Sequence, residues 1–222
     1  TVPVIALALG PVAGLGAATA VILLIFKESI LGFVASVQIA SYDLLRIGDW
    51  IEVPRYGANG DVAEMSLTTV KVRNFDKTIS IIPINGLLGE GIKNWRGMKD
   101  AGGRRVKRSI YLDIKSIGFL TPEIVSKLER FEIMSNFLST NSLGTKESLG
   151  SLNTTTNLKA FRYYLLEFLK KHPDVNNDDF LCLIRQLQSG RDGVPLEIYF
   201  FTKTTDWRQH EAVLSGVFEH IF

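Results

Sequence analysis

Residues 61–83 read DVAEMSLTTVKVRNFDKTISIIP. Apolar and polar residues alternate through this stretch, and β-branched residues are dense, which predicts strands paired about a turn at residues 74–77. Immediately upstream, residues 46–54 (RIGDWIEVP) open the β region, and Gly57, Asn59 and Gly60 supply a turn. Short strands at this spacing suit a small twisted barrel over residues 46–98. NWRGMKDAGGRR, residues 94–105, is a polar, glycine-containing connector.

Working outward toward the N-terminus, residues 2–26 carry no charge and are mostly Val, Ile, Leu, Ala and Gly. A helix needs about 20 apolar residues to cross a bilayer core, so this segment is long enough to span a membrane. A secretory signal peptide would carry a basic region first, and no basic residue precedes the apolar run. The chain opens on Thr1, without an initiator Met, which predicts that the numbering begins inside a longer protein. Small residues recur at spacing four, in the files Ala6-Gly10-Gly14-Ala18, Ala13-Ala17 and Gly16-Ala20. Such files let membrane helices approach closely.

LLIFKESILGF, residues 23–33, then places Lys27 and Glu28 inside the apolar region. A charge at the bilayer centre costs roughly 2.5–3.5 kcal/mol on insertion scales. The pair follows about 25 apolar residues, about 37 Å of helix. It should therefore mark the cytoplasmic end of a span over residues 1–28, with Gly32 absorbing a bend. Glu28 is expected to face the pore mouth or a neighbouring subunit, and Lys27 to snorkel to headgroups. Beyond the pair, Ile30, Phe33, Val34, Val37, Ser41 and Leu44 follow helical spacing. Residues 29–45 are thus expected to form an amphipathic helix that lies on the membrane surface or caps a soluble domain.

Working outward in the other direction, residues 99–222 read as an α+β domain. A strand is expected at residues 104–114, and a helix capped by Thr121 and Pro122 running to Leu138. A mobile loop rich in Ser, Thr, Asn and Gly is expected over residues 139–157, and an amphipathic helix over residues 158–171. Two strands follow around the turn SGRDGV. A last helix places Val213, Leu214, Val217, Phe218 and Ile221 on one face. The order is close to half of a split β-α-β, ferredoxin-like sandwich.

The chain has 222 residues and a net charge of +2, which is no polyanion-binding signature. The cluster Arg104, Arg105, Lys107 and Arg108 lacks interleaved aromatics and reads as a solvated strand edge, so no nucleic-acid partner is expected. Basic residues after the apolar run place the C-terminal part in the cytoplasm by the positive-inside rule. One cysteine, Cys182, excludes an internal disulfide and reads as a buried thiol. His172, His210 and His220 form no metal-ligand spacing with acids or Cys182, and His210 and Glu211 read as surface residues. No phosphate-binding glycine loop, cofactor site or catalytic constellation is found, so no enzyme is expected.

The glycine- and alanine-rich span, the charge-marked break, RIGDWIEV, the glycine turn, LTTVKVRNFDKTISIIP and KNWRGM together resemble the small-conductance mechanosensitive channel (MscS) family, closest to its YbdG-type miniconductance branch. The resemblance covers nearly the whole chain and is most specific over residues 46–98. It implies a homoheptamer in the bacterial inner membrane, with a pore-lining helix, an Sm-like β-barrel domain and an α+β vestibule domain. It implies membrane lipids and permeating ions as the other partners. Carried across without gaps, Ala13, Gly16 and Ala17 fall on pore-helix packing positions; Gly10 and Gly14, in the small-residue files, are expected to be helix contacts as well. Ala20 and Leu24 fall on the two gate positions that carry leucine in the family. Thr19 and Leu23 fall on family glycines. Glu28 takes the kink glycine position, with Gly32 one turn later, and the family's IPN appears as Ile82-Pro83-Ile84-Asn85.

Two functions follow. In the first, a ring of apolar side chains narrows a pore until water is expelled. Membrane tension then shifts the population toward the state of larger area, releasing ions and small solutes on hypoosmotic shock. In the second, the span anchors an oligomeric scaffold or signalling protein and conducts nothing.

Overall fold

A predominantly apolar stretch, broken by Lys27 and Glu28, gives the first element, α1, a 40-residue helix over Val2–Ser41. At 1.5 Å per residue it is about 60 Å long. The computed structural model describes the backbone of residues 2–141 and 154–222, and the side chains of residues 15–141 and 154–222. Much of the loop expected over residues 139–157 lies outside the described residues. The expected boundary between residues 28 and 29 is not a helix end, because α1 passes through Lys27, Glu28 and Gly32 without a break. One glycine costs a helix only about 1 kcal/mol, too little to interrupt it between Leu31 and Phe33. The helix stops at Ser41, four residues earlier than expected. Asp43 then takes a left-handed conformation (φ 52°), which a short polar side chain tolerates.

The chain divides into two units, Thr1–Gly97 and Met98–Phe222. After α1, the first unit holds β1 (Trp50–Val53), β2 (Ala58–Met65), β3 (Thr69–Asn74), β4 (Ile79–Pro83), helix α2 (Ile84–Leu88) and β5 (Lys93–Asn94). The strands form one antiparallel sheet in the order β4-β3-β2-β1-β5. The alternation noted at residues 69–74 is realised, since Val70 and Val72 face the core while Lys71 and Arg73 alternate with them. Gly60 is required where β2 crosses β3, because a Cβ there would lie 2.0 Å from the Arg73 carbonyl oxygen. The turn at residues 74–77 forms with Lys77 at φ 75°, and the Thr78 amide donates to Asp76 Oδ1 at 2.9 Å.

The second unit begins within α3 (Arg96–Ala101). It contains β6 (Arg104–Leu112), α4 (Pro122–Leu128), α5 (Ser135–Thr140), α6 (Asn157–Lys171), β7 (Leu183–Gln186), β8 (Val194–Thr202) and α7 (Trp207–Ile221). Its three antiparallel strands run in the order β6-β8-β7. Leu165 and Leu169 of α6 and Leu214 and Val217 of α7 share a core with Leu196, Ile198 and Phe200 of β8. Thr121 caps α4 as its sequence suggested, accepting from the Ile124 amide.

Two local expectations are corrected here. The helix begun at Pro122 ends at Leu128, and a 3-10 turn (Glu132–Met134) leads into α5. The break lets Met134, Phe137 and Leu138 pack in a second core with Ala160 of α6. His210 is not a surface residue; it is 5% exposed, and its Nδ1 lies 3.0 Å from Thr202 Oγ1. It stands one turn before Leu214, on the buried face of α7. Burial lowers the His210 pKa, and Arg104 and Arg108 add to that effect while Glu211 opposes it.

Candidate functional site: the apolar helix and its joint to the sheet

Along α1, residues 15–31 are exposed on every side. Leu24 is 73% exposed and Ile25 68%. A continuous apolar surface on this scale has no place in water and marks contact with lipid or protein. The helix Leu15–Ser41 is long and apolar enough to cross a membrane. Of the candidate packing and gate positions, Gly16, Ala17, Ala20 and Leu24 lie on this exposed surface. Gly10, Ala13 and Gly14 lie within α1, where only the backbone is described.

Lower in the same helix, Gly32, Ala35 and Ile39 form a buried file at spacings of three and four. Ala35 and Ile39 enter the core of the sheet domain with Ile51, Val62, Val72 and Ile82. Gly32 lets the helix approach the β2–β3 turn; a Cβ there would lie 3.6 Å from Thr68 Cγ2. The sequence had pointed to Ile30, Phe33, Val34, Val37 and Leu44 as the apolar face, and all five are exposed. At 100° per residue, that stripe lies roughly opposite the buried file, while Ala20 and Leu24 lie about 70° from the file. The lower helix therefore has two working faces: a small-residue face on the sheet and a large apolar face turned outward.

Glu28, one turn above Gly32, accepts a hydrogen bond from Asn85 Nδ2 at 2.9 Å. The Ile82-Pro83-Ile84-Asn85 stretch explains how Asn85 gets there. Pro83 ends β4, the Ile84 amide donates to the Thr68 carbonyl at 2.8 Å, and Ile84 and Leu87 are buried. Asn85 is left at the start of α2 with its side chain toward α1. Lys27 and Glu28 are both exposed.

Below the helix, one polar cluster fixes the corner. Asp49 is 7% exposed and accepts from the Arg46 amide at 2.9 Å, from Asn94 Nδ2 at 2.9 Å and from Arg96 Nε at 3.0 Å, with a further bond from the Arg96 guanidinium. Arg96 also donates to the Asp43 carbonyl (3.2 Å) and carboxylate (3.0 Å), and Asn94 to the Leu44 carbonyl at 3.1 Å. Arg46 donates to both oxygens of Asp43 at 2.6 Å. Burial alone would raise the Asp49 pKa; the bonds from Arg96, Asn94 and the Arg46 amide outweigh it and hold the carboxyl at about 2. The Arg46 bond lowers the Asp43 pKa against its desolvation, with Arg96 adding to it. Trp95 stacks on Trp50 at 4.6 Å, and Trp50 Nε1 donates to Asn59 Oδ1 at 2.8 Å. RIGDW and NWRG are thus two halves of one clamp that ties the end of α1 to β1 and β5. Among the described residues, no group of His, Cys, Asp and Glu is placed to hold a metal ion.

Residues 28–97 match the family described as "Mechanosensitive ion channel, beta-domain". An uncharacterized MscS family protein of Helicobacter pylori is 27% identical over 215 residues, covering 93% of this chain and 31% of its own length. The small-conductance mechanosensitive channel MscMJ of Methanocaldococcus jannaschii is 33% identical over 82 residues, 37% of this chain and 23% of its own. The chain thus spans about a third or less of these curated relatives. Among solved structures, Arabidopsis thaliana MSL1 aligns with a TM-score of 0.61 at 14% identity, covering 97% of this chain and 60% of that one. The closed state of Helicobacter pylori MscS aligns at 0.59 and 13%, covering 96% and 65%. The fold is MscS-like, and the sequence is similar to those of MscS family proteins.

Proposed function

We infer that this chain is the pore-lining and cytoplasmic portion of a mechanosensitive channel of the MscS family, in its YbdG-type branch. The observation that carries the reading is a long helix, apolar and exposed all round, whose lower end is fixed to a sheet matching the family's β domain. In this reading the five-stranded sheet is an Sm-like barrel and the second unit a ferredoxin-like vestibule domain. Seven copies assemble in the bacterial inner membrane with these domains in the cytoplasm. Neither a cofactor nor a chemical step is involved.

The exposed surface of α1 then meets lipid and neighbouring copies of itself. Small residues at Gly10, Ala13, Gly14, Gly16 and Ala17 allow close helix packing. Ala20 and Leu24 form the constriction, with Leu24 supplying the apolar bulk that expels water. Lys27, Glu28 and Gly32 sit at the pore mouth, where the joint to the sheet begins. Tension favours the wider state, and the buried file and the clamp make the lower helix move with its domain rather than independently. Ions and small solutes leave on hypoosmotic shock.

Leu24→Ser should wet the closed pore and lower the opening tension of the full-length protein. An unchanged threshold at equal expression would remove Leu24 from the gate. Gly14→Leu should impair assembly or gating, and mass measurement in detergent should return seven copies of the wild type. A membrane-anchored scaffold would assemble yet pass no tension-gated current.

A further inference from the structure

We propose that the cleft between α5, α6 and the outer edge of β7 is a binding site for a small organic anion, one that joins a phosphate or carboxylate head to an apolar body. The cleft has a volume of about 440 Å³, with Lys159, Arg162, Asn141, Phe137, Tyr163 and Ile184 among its walls. That is within the range of small-ligand pockets, roughly 300–1,000 Å³. Lys159 and Arg162 stand three residues apart on α6 and so share a face. Neither makes an ion pair with a carboxylate among the described residues. Other cations of the same unit do: Arg185 and Lys107 both reach Glu197, and Lys170 reaches Glu167.

Both cations are nevertheless held in place. Lys159 Nζ donates to Asn141 Oδ1 at 2.6 Å, and Asn141 is itself fixed by donating to the Phe137 carbonyl at 2.8 Å. Arg162 donates through one terminal nitrogen to the Ile184 carbonyl at 3.3 Å. That carbonyl is within reach because β7 is an edge strand. Arg162 Nε is buried and has no hydrogen-bond partner among the described residues. A buried donor without a partner is costly, and a guanidinium edge suits the two oxygens of a phosphate or carboxylate. Phe137, Tyr163, Leu166 and Ile184 line the same cleft and would receive the apolar body. The arrangement therefore offers one fixed ammonium, one buried guanidinium donor and an apolar wall to a single ligand.

The test uses the full-length protein in detergent, with phenyl phosphate and benzoate as probes and inorganic phosphate and phenol as controls. Isothermal titration should show saturable binding of at least one of the two aromatic anions, more tightly than either control. The preferred probe identifies the head group. Arg162→Lys keeps the charge but loses the Nε donor, and it should weaken binding about tenfold, as should Lys159→Gln. Ligand-observed NMR on the wild type, which depends on no variant, should show the probe's ring protons close to aromatic protons of the protein. Absence of saturable binding by both probes at about 10 mM, equal affinity for inorganic phosphate, or undiminished binding in the Lys159→Gln, Arg162→Lys double variant would overturn the proposal.

Discussion

The upper and lower parts of α1 are one helix of similar apolar character, yet they have opposite fates. Residues 15–31 are exposed all round, while residues 32–41 bury one narrow file against the sheet. Hydrophobicity does not separate them; the lower part has the sheet beside it, on a face that begins with small residues. Gly32 and Ala35 are small enough to bring the helix axis close to the sheet, and Ile39 then fills the space next to Ile51 and Val72. Among the described residues, the upper part has no such partner.

The contrast can be broken most severely at the clamp. Arg96→Leu should destabilise the first unit by about 3 kcal/mol, because it strands the buried Asp49 carboxylate. Thermal unfolding of the first unit measures this, and a loss under 1 kcal/mol would mean that the clamp is not holding the corner. Ile39→Ala should cost about 2–4 kcal/mol. Ile25→Ala, at a position 68% exposed, should leave the protection of the β-strand amides unchanged in hydrogen exchange. Equal effects from the two alanines would erase the distinction between the two parts of the helix.

Acid provides a finer probe. The Asp49 pKa is lowered to about 2 from its ordinary 3.8, so its carboxylate stabilises the fold above about pH 4. That contribution, about 2 kcal/mol, is lost as pH falls from about 4 toward 2. In Asp49→Asn, unfolding followed by near-UV circular dichroism should lose this part of the pH dependence. The smallest effects belong to the top of the joint. Gly32→Ala meets Thr68 at ordinary contact distance and should leave the sheet intact. A change in gating from that variant alone would identify Gly32 as a hinge as well as a contact. Glu28→Gln keeps an acceptor for Asn85 and should shift stability by less than about 1 kcal/mol.

The same contrast explains what could be read in advance. The alternation at Val70 and Val72, the turn at residues 74–77 and the Thr121 cap were legible because each is a local pattern with a local physical cause. The docking face of α1 was not, because glycine and alanine add little to an amphipathic pattern; the conspicuous stripe of Ile30, Phe33, Val34 and Val37 points the other way. His210 lies on the file that continues through Leu214, Val217 and Phe218, so its burial could have been inferred had its polarity not outweighed its position. Asp49 and Arg96 lie in motifs quoted from the sequence, but only the fold brings residues 47 apart into one pair. Arg162 gave no signal at all, since an unpartnered donor exists only once its surroundings are built.

The central claim is that α1 lines a pore opened by tension, and single-channel recording on membrane patches tests it most directly. The full-length protein should give stepwise currents under suction, and Leu24→Ser should give them at a lower tension. Patches that contain the assembled wild-type protein and pass no current up to the tension at which the membrane ruptures would contradict it.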